Sequence, residues 1–283
     1  MFQGALFTMQ YRNMALITKY FLRHPNLSYK GLWQHQNAGE VMVMGHLASN
    51  GLHVQRNKVR EAIHAVDPEG VRERSQKPIR RQVYSVPFPN YVWHIDGNHK
   101  LVRWRLVVHH GIDGYGRMAV FAKCSPNNRA ETVHSLFTGA IPRYGRPLRI
   151  RTDYGGENVD IWRDMITARP EESKPVLVGK SVHNQRIERH NCALNEQVMS
   201  RFRGEFYQLE SEGVVNVNND TDILCLHYVY LQRINQAIDE FVAAHNNHRI
   251  STERNRTPQQ LFWCNIHMAD YHQGVFARTR LPA

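Results

Sequence analysis

From residue 91 onward, three strand-like runs come in direct succession: VWHIDGN, RWRLVVHHGID and MAVFAKCS. The pattern then switches to alternation. An amphipathic helix is expected over about Ala130–Tyr144, a fourth strand at LRIRTD, a helix at NVDIWRDMITAR and a short fifth strand at PVLV. A long helix follows from about Gln185 to Leu209, with Ile187, Leu194, Val198, Phe202 and Phe206 as its buried stripe. A last long helix, about Tyr228–His245, carries Ile234, Ile238 and Phe241. Three strands in a row and then alternating helix and strand imply an α/β domain, a mixed sheet with helices packed on it. This unit spans residues 91–265 and leaves a short tail at 266–283.

The chain has the material for such a core, since 42% of its 283 residues are hydrophobic. No apolar run approaches the length of a membrane span. Met1–Leu22 is interrupted by Arg12 and Lys19 and does not read as a secretory signal, although the lack of acidic residues before Glu40 is also a transit-peptide trait. Cys124, Cys192, Cys225 and Cys264 are far apart and form no CxxC pair, which argues against a zinc cluster or disulfide framework and fits a reducing compartment. The formal net charge of +11 points to a polyanionic partner. The first ninety residues hold twelve of the basic side chains and only five acidic ones.

Within that basic third, residues 1–37 form a weakly patterned arm. Residues 38–70 suggest a short helix, a turn at Ser49-Asn50-Gly51 and a second helix from about Gln55. Val59, Ala62, Ile63 and Val66 fall on one side of the second helix, while Arg56 and Arg60, four apart, share another. A helix pair with glycine in the turn and a basic second helix is a helix-turn-helix pattern, with Arg56, Lys58 and Arg60 as its DNA contacts. The plainer alternative is a helical hairpin with a solvated basic face. Residues 71–90 read as a linker, with Arg72, Arg74, Lys77, Arg80 and Arg81 crowded before Pro87 and Pro89.

Three carboxylates stand at the ends of separate elements: Asp96 on the first strand, Asp153 after the fourth, and Glu188 in the first turns of the long helix. Gathered at one sheet edge they would offer hard oxygen ligands suited to Mg²⁺ or Mn²⁺. Two such ions support phosphoryl transfer. Carboxylates in such places are also commonly caps or surface residues, and the pattern alone leaves both readings open.

Flanking residues add a resemblance. Trp93-His94-Ile95-Asp96, then Arg149-Ile150-Arg151-Thr152-Asp153-Tyr154-Gly155-Gly156-Glu157-Asn158, then Asn184-Gln185-Arg186-Ile187-Glu188-Arg189-His190-Asn191 resemble the three signature blocks of the integrase catalytic core, or DDE transposase, superfamily. Asp153 and Glu188 are 35 positions apart, the D,D-35-E spacing. His245-Asn246-Asn247-His248-Arg249 and Thr257-Pro258-Gln259-Gln260-Leu261-Phe262 are similar to the tail of these cores. The match is close to integrase-core proteins of eukaryotic transposon origin. It implies a ribonuclease H-like fold, DNA ends and target DNA as substrate, a homo-oligomeric assembly and a nuclear location. It also implies two Mg²⁺ or Mn²⁺ ions, with Asp96 bridging both, Asp153 completing one site and Glu188 the other.

The third block extends the site. Asn191 and Asn195 share the Glu188 face of the helix and are expected to touch DNA. Where retroviral integrases place lysines on this helix the chain has Cys192 and Asn195, and Arg186 and Arg189 are the basic substitutes. Asp113, in Gly-Ile-Asp-Gly-Tyr-Gly-Arg, resembles a mainly structural aspartate. Glu157 is expected to shape the Gly155-Gly156 loop, His94 and His183 to flank the substrate, and Trp93 to lie in the core. The leading function is a metal-dependent polynucleotidyl transferase. A domesticated DNA-binding protein that kept the fold would not need all three carboxylates. A ribonuclease H-like nuclease would have little use for a site reader.

Overall fold

A central strand organises the domain. The strand β1 (Val92–Asn98) pairs antiparallel with β2 (Val107–Asp113), which pairs antiparallel with β3 (Ala119–Ser125). On its other side β1 pairs in parallel with β4 (Arg149–Thr152), and β4 in parallel with β5 (Val176–Val178). The sheet order is β3-β2-β1-β4-β5. This computed structural model describes residues 39–66, 68, 71–72, 85–179 and 185–269. The arm at 1–37, His183, Asn184, the linker residues Arg74, Lys77, Arg80 and Arg81, and residues 270–283 lie outside the described residues.

The parallel pairings need crossover connections, and two helices supply them. The helix α1 (Glu40–Ser49) and the helix α2 (Arg56–Val66) precede the sheet. The helix α3 (Ala130–Tyr144) links β3 to β4, and α4 (Val159–Ala168) links β4 to β5. They cover one face of the sheet, where Trp93, Ile95, Phe137, Ile150, Ile161 and Met165 form one core. Trp93 is fully buried, as expected, and meets the edge of Phe137 at 5.7 Å between ring centroids. The mixed five-stranded sheet with flanking helices is the expected ribonuclease H-like architecture.

The opposite face is covered by the long helices. The helix α5 (Gln185–Leu194) runs through one π-helical turn (Asn195–Met199) into α6 (Ser200–Ser211). Ile187, Leu194, Val198, Phe202 and Phe206 are all buried, as the stripe requires. The π turn is a departure from the expected uninterrupted helix. Its wider winding advances the buried face by one residue, so that Gln197, Val198 and Met199 are buried together. The next helix, α7 (Asp220–Asn247), begins eight residues before the expected Tyr228. Asn219 caps it by accepting a bond from the Thr221 amide at 2.9 Å, and Asp220 and Asp222 favour its positive N-terminal end. The Asn-Asp-Thr-Asp run that resembles a loop is therefore a cap, and Ile223 and Leu226 extend the buried stripe. The helix α8 (Pro258–Trp263) starts at a capping box, with Thr257 and Gln260 exchanging bonds of 3.1 and 3.0 Å.

The helix pair forms as expected, with Gly51 at a φ of 74° in the turn. Val43, Leu47 and Val59 make its small core, joined by Ile63. The pair is also docked. Met42 packs on the long-helix core, and α1 meets α7 so closely that a Cβ at Gly45 would run into the Ala244 carbonyl oxygen. Replacing a helical glycine ordinarily favours the helix, but here the backbone contact decides the sign. Gly45→Val is expected to destabilise the docked pair by about 1–3 kcal/mol, the usual cost of overpacking. Limited proteolysis should then release residues 39–66 faster than from wild type, and an unchanged cleavage pattern would contradict the contact.

Candidate active site

The parallel pairing of β1 and β4 brings their C-terminal ends to one edge of the sheet. Asp96 is the fifth residue of β1, and Asp153 follows directly after β4. Glu188 is the fourth residue of α5, which lies over β1 and β2. Asp96 is half-buried and Glu188 exposed. Asp96 accepts bonds from the Gly97 amide at 2.9 Å and from the Asn191 side chain at 2.6 Å. Asp153 accepts from the Asn158 side chain at 3.0 Å and the Gly155 amide at 3.2 Å. Thr152 steadies that turn, since its hydroxyl donates to the Asp153 carbonyl and accepts from the Trp162 indole.

Asp153 and Glu188 both lie near enough to Asp96 for their charges to act on it. Burial pushes the Asp96 carboxyl up to about 7, and the negative charges of Asp153 and Glu188 add to the rise. The Gly97 amide and Asn191 act in the opposite direction. The nearby histidines offer no counter-charge. His110 lies opposite Asp96 in the β1–β2 register, and burial holds it down to about 4. His190 stacks on it, with the two Nδ1 atoms 3.0 Å apart, and is also pushed down by burial. His245 is pushed down to about 3 for the same reason. This neutral imidazole cluster lies behind Asp96 and was not foreseen, because its members are scattered over β2, α5 and α7.

The other expected residues are distributed as follows. Arg189 is exposed on α5, whereas Arg186 is half-buried near Asp113, whose carboxyl burial pushes up to about 7 against the opposing pull of backbone amides and the Arg186 charge. Asp113 is fully buried and accepts bonds from the Asn90 and Gly116 amides at 2.8 and 2.5 Å, joining the start of β1 to the β2–β3 turn. Asn191 and Asn195 are half-buried and hydrogen-bonded within the protein. Glu157 fills the space a Cβ would need at Gly155, consistent with a loop-shaping role. His94 is fully buried, which corrects its placement beside the substrate: it shares the strand face of Asp96 but lies two residues further from the C-terminal end of β1, where that face is covered. Arg56, Lys58 and Arg60 are exposed on α2, with Arg56 and Arg60 both paired to Glu40, the latter at 2.9 Å. Asn98 was missed altogether. Its position two residues after Asp96, on the same strand face, was the available signal.

Three carboxylates are a suitable donor set for Mg²⁺ or Mn²⁺. Among the described residues no three His, Cys, Asp or Glu side chains close around a single point as a metal cage. Mg²⁺ does not require one, because it retains waters and takes one or two carboxylates together with substrate phosphates. Burial raises the Asp96 carboxyl and repulsion from Asp153 and Glu188 adds to the rise; a cation would relieve that repulsion, so the residues fit the group.

Fold and acidic edge together define an integrase-type catalytic core. Residues 83–274 match the family model for the integrase core domain. The chain belongs to the integrase core domain family, within the DDE superfamily. Among solved structures it is similar to the intasome of simian T-cell lymphotropic virus in complex with the PP2A regulatory subunit B56 gamma, at 18% identity and a TM-score of 0.47, covering 81% of this chain and 70% of that one. It is also similar to the HTLV-2 integrase catalytic core domain in complex with magnesium, at 16% identity and a TM-score of 0.41, over 62% of this chain and 99% of that one. A third is the BIV integrase catalytic core domain, at 14% identity and a TM-score of 0.41, over 66% and 99%. No curated protein matches.

The shared charge has a thermodynamic consequence. Folded Asp96 holds its proton more tightly than an unfolded aspartate at about 3.8. Its contribution to stability is therefore complete below about pH 3.8 and lost as pH rises through 7. In metal-free protein, Glu188→Gln is expected to lower the Asp96 pKa and to stabilise the fold at pH 8 by about 1 kcal/mol, a Tm rise of about 2–4 °C. Carboxyl NMR and thermal melting read both effects. An unmoved Asp96 titration would separate Glu188 from the site.

Proposed function

We propose that the protein is a DNA integrase or transposase-type polynucleotidyl transferase that cleaves DNA ends and joins them to target DNA. The observation that carries the reading is the placing of Asp96 and Asp153 at the C-terminal ends of two parallel strands under the helix that bears Glu188, with the Asp96 carboxyl raised by burial and further by Asp153 and Glu188 beside histidines that burial keeps neutral. That charge calls for a cation from outside the chain. Asp96 would hold both of two divalent ions, Asp153 one and Glu188 the other. When bound, the ions supply an activated water or 3′-hydroxyl and stabilise the leaving 3′-oxygen. The chain's own residues fix the carboxylates. Asn191 orients Asp96, Asn158 and the Gly155 amide hold Asp153, and the helical register of α5 sets Glu188.

DNA is the partner that best suits the basic charge, with Arg186 and Arg189 along α5 and Arg56, Lys58 and Arg60 on the helix pair as contacts. The pair serves as a helix-turn-helix reader, held against the core by α1. The active form is a homo-oligomer that joins two element ends, and its place is the nucleus.

Strand cleavage and joining on labelled duplex ends with Mg²⁺ or Mn²⁺ tests the proposal. Wild type is expected to join, and Glu188→Gln to lose joining by at least about 100-fold, the scale of losing a group that acts on the transition state. Binding without cleavage would mark a domesticated binder, and cleavage without joining a nuclease. Arg56→Ala with Arg60→Ala is expected to abolish preference for the end sequence while the core stays folded. Retained preference in a competition binding assay would overturn the reader assignment.

A further inference from the structure

Asn98 is a buried amide on β1, two residues past Asp96 and therefore on the same face of the strand. Its hydrogen bonds have a fixed direction. The Lys100 backbone amide can only donate, and it donates to Asn98 Oδ1 at 3.1 Å. That contact turns the Asn98 Nδ2 group toward the long helix, where it donates to Asn191 Oδ1 at 3.0 Å and to Asn195 Oδ1 at 2.8 Å. With its oxygen held there, Asn191 must present its own Nδ2 to Asp96, which it reaches at 2.6 Å. A reversed Asn191 would set a carbonyl oxygen against the carboxylate and an NH₂ group against the Asn98 NH₂.

Building on the metal-dependent reading above, we infer that Asn98 is a positioning residue that orients Asp96 for the divalent cation by fixing Asn191. The direction originates in a backbone amide of the turn just past the strand that carries Asp96, and crosses to the helix that carries Glu188. Asn98 thus ties the two carboxylate-bearing elements together. Buried as it is, it acts through Asn191 and not on the substrate. Its second hydrogen bond, to Asn195, secures the first residue of the π turn and so the place where α5 changes its winding.

The test is Mn²⁺ binding to the full chain, followed by electron paramagnetic resonance of the free ion. Wild type, Asn98→Ala, Asn191→Ala and the double variant form a cycle. Loss of an outer partner of a metal ligand commonly costs at least about 10-fold in affinity. Asn98→Ala is expected to weaken Mn²⁺ binding by about that factor, and the double variant to bind no more weakly than Asn191→Ala alone, because the effect runs through Asn191. Wild-type affinity in Asn98→Ala, or additive losses in the double variant, would overturn the inference. If Asn98→Ala does not fold by circular dichroism, Asn98→Leu, which keeps the volume without the donors and adds no charge, takes its place. A second readout needs no metal: the Asn191 side-chain NH₂ resonances of the apo protein are expected to shift in the Asn98 variant. Wild type failing to bind Mn²⁺ would remove the metal reading. Unmoved Asn191 resonances would by themselves refute the link to Asn98.

Discussion

The domain depends on keeping the Asp96 carboxyl, half-buried in a central strand, beside two other carboxylates. Burial and like charges are both costly to a carboxylate, and the cost, burial's first, appears as a carboxyl raised to about 7. Protein interiors usually relieve such a cost with a buried cation. Here the groups directly behind Asp96 are imidazoles, and burial keeps His110, His190 and His245 from charging. The relief the chain does provide is dipolar, from the Gly97 amide and the Asn191 side chain. Dipoles orient a carboxylate without cancelling its charge, and that leaves the charge available to a divalent ion.

The fold explains how the three groups meet. Because β1 and β4 run in parallel, their C-terminal ends emerge on the same side, and Asp96 and Asp153 follow from strand direction alone. Glu188 comes from elsewhere in the chain and depends on how α5 is seated. Ile187 and His190, buried on either side of it, seat that turn against the sheet and leave Glu188 facing outward. The helix then passes into a π turn, which redirects its buried stripe toward the aromatic core of Phe202 and Phe206 without moving the first turns. The active-site end of the long helix and its packing end are thereby set by different contacts.

What could be read from sequence follows the range of the interactions involved. The strands, α3, α4 and the stripe from Ile187 to Phe206 declare themselves through local periodicity, and each is close to where that periodicity puts it, except that Arg103 and Trp104 form a 3-10 turn, closed by Arg105 in the left-handed region, and β2 starts only at Val107. The candidate carboxylates were legible from spacing and flanking residues. The start of α7 was not, because Asn219, Asp220 and Asp222 have the same composition as a loop until their bonds are seen. The histidine cluster joins residues from three elements, and no local pattern marks it. Asn98 is intermediate: strand period places it on the Asp96 face, but the direction of its amide depends on Lys100, Asn191 and Asn195 together. The basic face of α2 was visible, whereas its pairing with Glu40 depends on the angle between two helices.

The most direct measurement of the central claim is a crystal of the core soaked in Mn²⁺, with the ions located by anomalous scattering. The account predicts anomalous density against Asp96, shared with Asp153 on one side and Glu188 on the other. Density at the histidine cluster alone, or none at the carboxylates under saturating Mn²⁺, would contradict it.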